Sequence, residues 1–81
     1  MIFLIEYDRP SGKLVKMDTF DDSERTIAQD ARLHLELERY AQGVEREIVI
    51  LEAATEDAIK RTHRRYFRPL QDLIAEMRFA T

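Results

Sequence analysis

The chain opens on a run, Met1 to Tyr7, in which both alternating sets of positions are apolar. Ile2 and Leu4 fall on one side, and Phe3, Ile5 and Tyr7 on the other. A strand apolar on both faces is covered on both, so this run predicts a central strand. The segment Asp8–Gly12 is turn chemistry: Pro10 presets φ, Asp8 bonds nearby backbone and Gly12 accepts positive φ. Lys13 to Phe20 follows as a second, more polar strand, and its Lys13, Lys16 and Asp18 suit a sheet edge. The two strands predict a hairpin.

From Asp21 to Gly43 the period changes to that of a helix. Asp21 and Glu24 have capping-box spacing, Asp22 and Glu24 suit the positive end of the helix, and Gly43 is a stop signal. At about 100° per residue, Ile27, Ala31 and Leu35 line one stripe. Thr26, Leu33, Leu37 and Tyr40 line a second, roughly opposite. Arg25, Gln29, Arg32, Glu36 and Arg39 fill a narrow polar strip between them. A helix on a small sheet needs one apolar stripe, so the second must meet helix two, the chain's last helix or another subunit.

Val44 to Ala53 reads as a third strand, apolar on both sides at Ile48, Val49, Ile50 and Leu51. Thr55 caps a second helix with Glu56 and Asp57 in its first turn. Pro69 ends or kinks it near Phe67 and opens a short last helix, 69–77, with an apolar stripe at Leu70, Leu73, Ile74 and Met77. The predicted fold class is therefore α+β, in the order β-β-α-β-α. Its three-stranded antiparallel sheet has strand order 2-1-3, packed by two helices and a short C-terminal helix. That arrangement resembles part of a ferredoxin-like fold.

Length makes self-association relevant. Eighty-one residues form a single domain, 1–81, and so short a chain buries only about 60–65% of its unfolded surface. With no cysteine, neither disulfides nor thiolate zinc sites can supplement the core. A cysteine-free chain fits the reducing cytoplasm. The apolar opening run is too short for a signal or membrane-spanning segment. With a net charge of −3, nothing in the overall composition points to nucleic acid. The expectation is a homo-oligomer, a dimer in the simplest case, in contact with no membrane. The interface candidates are Leu33, Leu37, Tyr40, Leu73, Ile74 and Met77.

One stretch departs from the overall charge. Lys60, Arg61, Arg64, Arg65 and Arg68 crowd into helix two with no acid among them, opposite the stripe Ile59, Thr62, Tyr66 and Leu70. They are the anion-binding candidates. Glu56–Lys60 and Asp57–Arg61 are well-oriented pairs, each worth about 0.2–0.5 kcal/mol. Arg64 and Arg65 have only like-charged i,i+4 neighbours, so they are expected to find acids elsewhere. The candidates are Glu36 and Glu38 of helix one, or Glu45 and Glu47 of a neighbouring subunit. An acidic protein partner is the alternative. Nucleic acid is disfavoured because no aromatic is interleaved on that face.

Catalytic signals are sparse. There is no glycine-rich phosphate loop, nucleophile elbow or calcium-loop spacing, and Ser23 reads as part of a helix cap. His34 and Glu38, i,i+4 on helix one, would need His63 from helix two to make a minimal metal site. A histidine hydrogen-bonded to Glu38 at a helix seam explains the same residues, so no metal or cofactor is expected.

The segment Glu47–Phe67 and the hairpin Leu4–Val15 resemble strand-to-helix and hairpin segments of small uncharacterised bacterial proteins, of the short-open-reading-frame or gene-cassette type. The likeness carries no catalytic motif. The chain is also similar to small dimeric α+β barrel proteins, but these have a β-α-β-β-α-β order and a fourth strand that this chain lacks. The functional expectation is a self-associating interaction module. Anion or nucleic-acid binding through the basic helix and a small ligand-binding or enzymatic barrel are the alternatives.

Overall fold

The computed structural model describes residues 1–67. Three strands, β1 (Ile2–Asp8), β2 (Lys13–Phe20) and β3 (Glu47–Glu52), form one antiparallel sheet in the order β2-β1-β3. The doubly apolar first strand is central, as its pattern predicts, and Ile2 through Tyr7 are all buried. The hairpin turn closes with Gly12 N–H donating to Asp8 O at 2.8 Å. Gly12 adopts φ 66° there, a left-handed conformation that glycine takes without steric cost. The β1–β2 register shifts between Glu6 and Tyr7, where Lys16 and Leu14 are the respective partners and Val15 is left over as a bulge.

A 3-10 turn (Asp22–Glu24) leads into helix α1 (Arg25–Gln42). The Asp21 N–H donates to Glu24 Oε1 at 2.9 Å, one half of the capping box read from the sequence. Gly43, at φ 69°, ends the helix, with the Val44 N–H returning to Arg39 O.

The phase of α1 differs from expectation at two positions, Ile27 and Arg39. The residues turned to the sheet are Ala28, fully buried, then Ala31, Leu35 and Arg39, all at least half-covered. Ile27 is left 57% exposed. The reason is steric and electrostatic together. Two alanines let the helix approach the sheet closely, and the same rotation aims Arg39 at Glu6 of β1.

Strand alternation assigns each helix to one face of the sheet. Ile2, Leu4 and Glu6 face α1. Phe3, Ile5 and Tyr7 face helix α2 (Glu56–Thr62) and the following 3-10 turn (Arg64–Tyr66), packing with Ile59 and Tyr66. Val49, Leu51, Leu14 and Met17 complete that core. Thr55 caps α2, its side chain accepting from the Ala58 N–H at 3.1 Å. The α-helical bonds stop at Thr62, earlier than the Pro69 signal implies. Thr62 Oγ1 donates back to Ala58 O and Ile59 O, and such back-bonding competes with helix continuation. The predicted last helix, 69–77, lies outside the described residues.

Candidate functional site

Three groups of side chains stand out. The first is an ion cluster on the α1 face of the sheet. Glu6 is 1% exposed in the middle of the central strand. Arg39 grips it with two bonds, Nε to Oε2 at 2.7 Å and an Nη2 contact to Oε1 at 3.2 Å. Arg46, in the loop before β3, brings Nε within 3.2 Å of the same carboxylate but without hydrogen-bond alignment, and its Nη1 lies 3.5 Å from Asp8. A buried carboxylate is tolerated only when its charge and lone pairs are answered, and the two arginines do that.

The second group lies on the opposite face, at the end of β3. Glu47 accepts from the Tyr66 hydroxyl at 3.0 Å, from Arg65 at 2.5 Å and from Arg9 at 3.4 Å. Burial alone would push its carboxyl up, but the bonds from Arg9, Tyr66 and Arg65 outweigh that and hold it below the usual glutamate range. Burial, reinforced by the bond to Glu47, raises the Tyr66 hydroxyl above the ordinary phenol value. The Arg65 guanidinium stacks 4.4 Å from the Tyr66 ring centre, and Tyr66 meets Tyr7 edge-on at 5.2 Å. The Arg65 carboxylate partner is thus Glu47, one of the acids expected for it, but of the same chain.

The rest of the basic stretch is exposed at Lys60, Arg61 and Arg64. Lys60 pairs with Glu56 at 3.2 Å, the i,i+4 contact read from the sequence. Tyr66 is buried, so among the described residues that face offers no aromatic platform for a base. Arg68 lies outside the described residues.

The third group is the outer side of α1. Leu33 is 53% exposed, Leu37 58% and Tyr40 86%. They lie opposite Ala28 and Leu35 on the helix, so they point away from the sheet. Helix α2 is on the far side of the sheet and does not cover them. The other interface candidates, Leu73, Ile74 and Met77, lie outside the described residues.

Where α1 ends, a groove of about 540 Å³ runs between Glu36, Arg39 and Tyr40 on one side and Val44 to Ile48 with Arg9 and Pro10 on the other. His34 and Glu38 sit on the exposed side of α1, whereas His63 follows α2 across the sheet, so the three do not converge. Among the described residues, no cluster of three or more metal-ligating side chains occurs. None of their helices is long and apolar enough to cross a membrane.

Sequence reasoning missed Glu6, Arg39 and Arg46 as one unit. Ala28, Ala31, Leu35 and Arg39 continue one helical stripe that could be read from the sequence, but the acid that its last member meets, Glu6 on the α1 face of the central strand, could not.

Set against models of known protein families, curated proteins and solved structures, the chain matches none.

Proposed function

We propose that this protein is a self-associating interaction module whose contact surface includes the outer side of α1, and that it acts by binding rather than by catalysis. The observation that carries the reading is the exposure of Leu33, Leu37 and Tyr40 on the helix side opposite the sheet. Single exposed apolar residues are ordinary, but a stripe of large ones at helical spacing marks an interaction site. The small core points the same way: an 81-residue chain gains stability by burying such a stripe between copies. The basic face of helix two supports an anion-binding role less well, because Arg65 and Lys60 already have acidic partners in the chain.

Light scattering at micromolar concentration tests the proposal. The expected mass is at least twice the chain mass of 9.6 kDa. Leu33→Glu with Leu37→Glu should lower it, and circular dichroism should stay unchanged because both residues are exposed. A monomer at every concentration overturns the reading.

A further inference from the structure

The two edges of the sheet are built differently. The β2 edge carries Lys13, Lys16 and Asp18 and the Val15 bulge, features that discourage pairing with another strand. The β3 edge has no bulge, and its charges, Glu47 and Glu52, stand only at its two ends. Its centre is Ile48-Val49-Ile50-Leu51, and its register with β1 is unbroken from Ile2–Glu52 to Tyr7–Glu47. Among the described residues, β3 pairs with β1 alone.

The hydrogen-bond phase shows which groups face outward. Met1 and Ala53 exchange both bonds, the Met1 amine donating to Ala53 O at 3.0 Å and the Ala53 N–H to Met1 O at 3.2 Å. Bonded and non-bonded pairs alternate in an antiparallel ladder. Leu51, Val49 and Glu47 therefore bond β1, and the N–H and C=O groups of Ile48, Ile50 and Glu52 point away from it.

Deepening the self-association reading and resting on it, we infer that β3 pairs edge to edge with β3 of a second copy, about a two-fold axis at Ile50. The register is self-complementary. Ile50 bonds Ile50 of the second copy, and Ile48 bonds its Glu52, so every outward group of the three residues is answered. Each face of the sheet continues into the same face of the second copy, because the paired positions share parity.

The helix layer fits the same axis. Helix α1 lies over β1 and β3, so two copies of α1 stand two strand spacings apart, about 10 Å. That is the usual distance between packed helices. The flank of α1 toward β3 is marked by Arg25, which pairs with Glu52, and by Glu36 and Tyr40, which share the groove with Ile48. Arg32 lies on this flank as well. It offers both signs of charge to an antiparallel copy of itself, and Tyr40 and Leu33 beside it are drawn into the seam.

Amide hydrogen exchange read by NMR tests the inference. In the associated protein, Ile48, Ile50 and Glu52 should be protected as strongly as Val49 and Leu51. On dilution to monomer their protection should fall at least tenfold, and that of Val49 and Leu51 should persist. Ile50→Pro removes the central outward donor without touching the ladder to β1, and should give a folded monomer. An associated protein whose Ile48, Ile50 and Glu52 amides exchange freely overturns this pairing and leaves the self-association reading standing. Protection that survives dilution to monomer also overturns it, because residues 68–81 would then cover the edge. A wild-type chain that never associates overturns both. If Ile50→Pro does not fold, the exchange pattern of the wild type decides alone.

Discussion

Arg39, on the inner side of α1, holds the Glu6 carboxylate in the middle of the central strand with two bonds, the shorter 2.7 Å. This contact fixes the rotation of α1 on the sheet. The helix has two apolar stripes, and hydrophobicity alone does not choose between them.

The pair should behave asymmetrically under mutation. Glu6→Gln leaves Arg39 and Arg46 able to reach water, and should cost about 1.5–3 kcal/mol, the range for a hydrogen bond to a charged group. Arg39→Met leaves a buried carboxylate with one poorly aligned partner and should lower the urea midpoint further. Glu6→Leu combined with Arg39→Met should recover much of that loss, because no charge is then stranded. Additive losses in the double mutant would show that the two residues are not coupled.

Acid should weaken the second cluster. The folded carboxyl of Glu47 titrates below the unfolded one, so its contribution is complete above the unfolded value of about 4.3. It is lost as pH falls through the lower folded value. Stability measured by urea between about pH 6 and pH 3 should decline in that window, and Glu47→Gln should make the decline shallower. A variant with the parent's slope would assign the acid sensitivity to other carboxylates.

Ile59 should be the most sensitive position of α2. It is fully buried and, with Tyr66, ties the segment to Phe3, Ile5 and Tyr7. Ile59→Ala should cost about 2–5 kcal/mol in chemical denaturation. A loss below about 1 kcal/mol would mean that the site closes over the missing atoms.

The basic stretch should not make a nucleic-acid binder. A random duplex at physiological salt should bind no tighter than about 10⁻⁴–10⁻⁶ M, the non-specific range. A submicromolar complex abolished by Arg64→Ala with Arg65→Ala would make that face a functional site.

The architecture was legible wherever the signals are local. Both faces of Ile2–Tyr7 are apolar, so the first strand reads as central. Pro10 with Gly12 marks the hairpin, Thr55 opens α2, and Gly43 closes α1. The pairing of Glu6 was not legible, because its partners, Arg39 and Arg46, lie far along the chain. The choice between Ile27 and Ala28 as the inward residue was lost for a related reason. Hydrophobicity favours isoleucine, but close approach to the sheet favours alanine, and the ion pair settles the rotation. The partner of Arg65 was foreseeable as one of a few glutamates; choosing Glu47 in the same chain required knowing that α2 lies across the β3 end.

The central position of β1 also bears on how the protein is made. During synthesis β1 emerges before everything that covers it. The hairpin with β2 can form early, but it then presents Phe3, Ile5 and Tyr7 on one face and Ile2 and Leu4 on the other. Helix α1 covers the second set only after Gly43 has been added, and the first set waits for Ile59 and Tyr66. At about 5–20 residues per second, a nascent chain carries an uncovered apolar hairpin for several seconds. Ribosome-bound chains halted where β1 and β2 have left the exit tunnel but α1 has not should therefore be the stage at which general chaperones engage this protein most strongly.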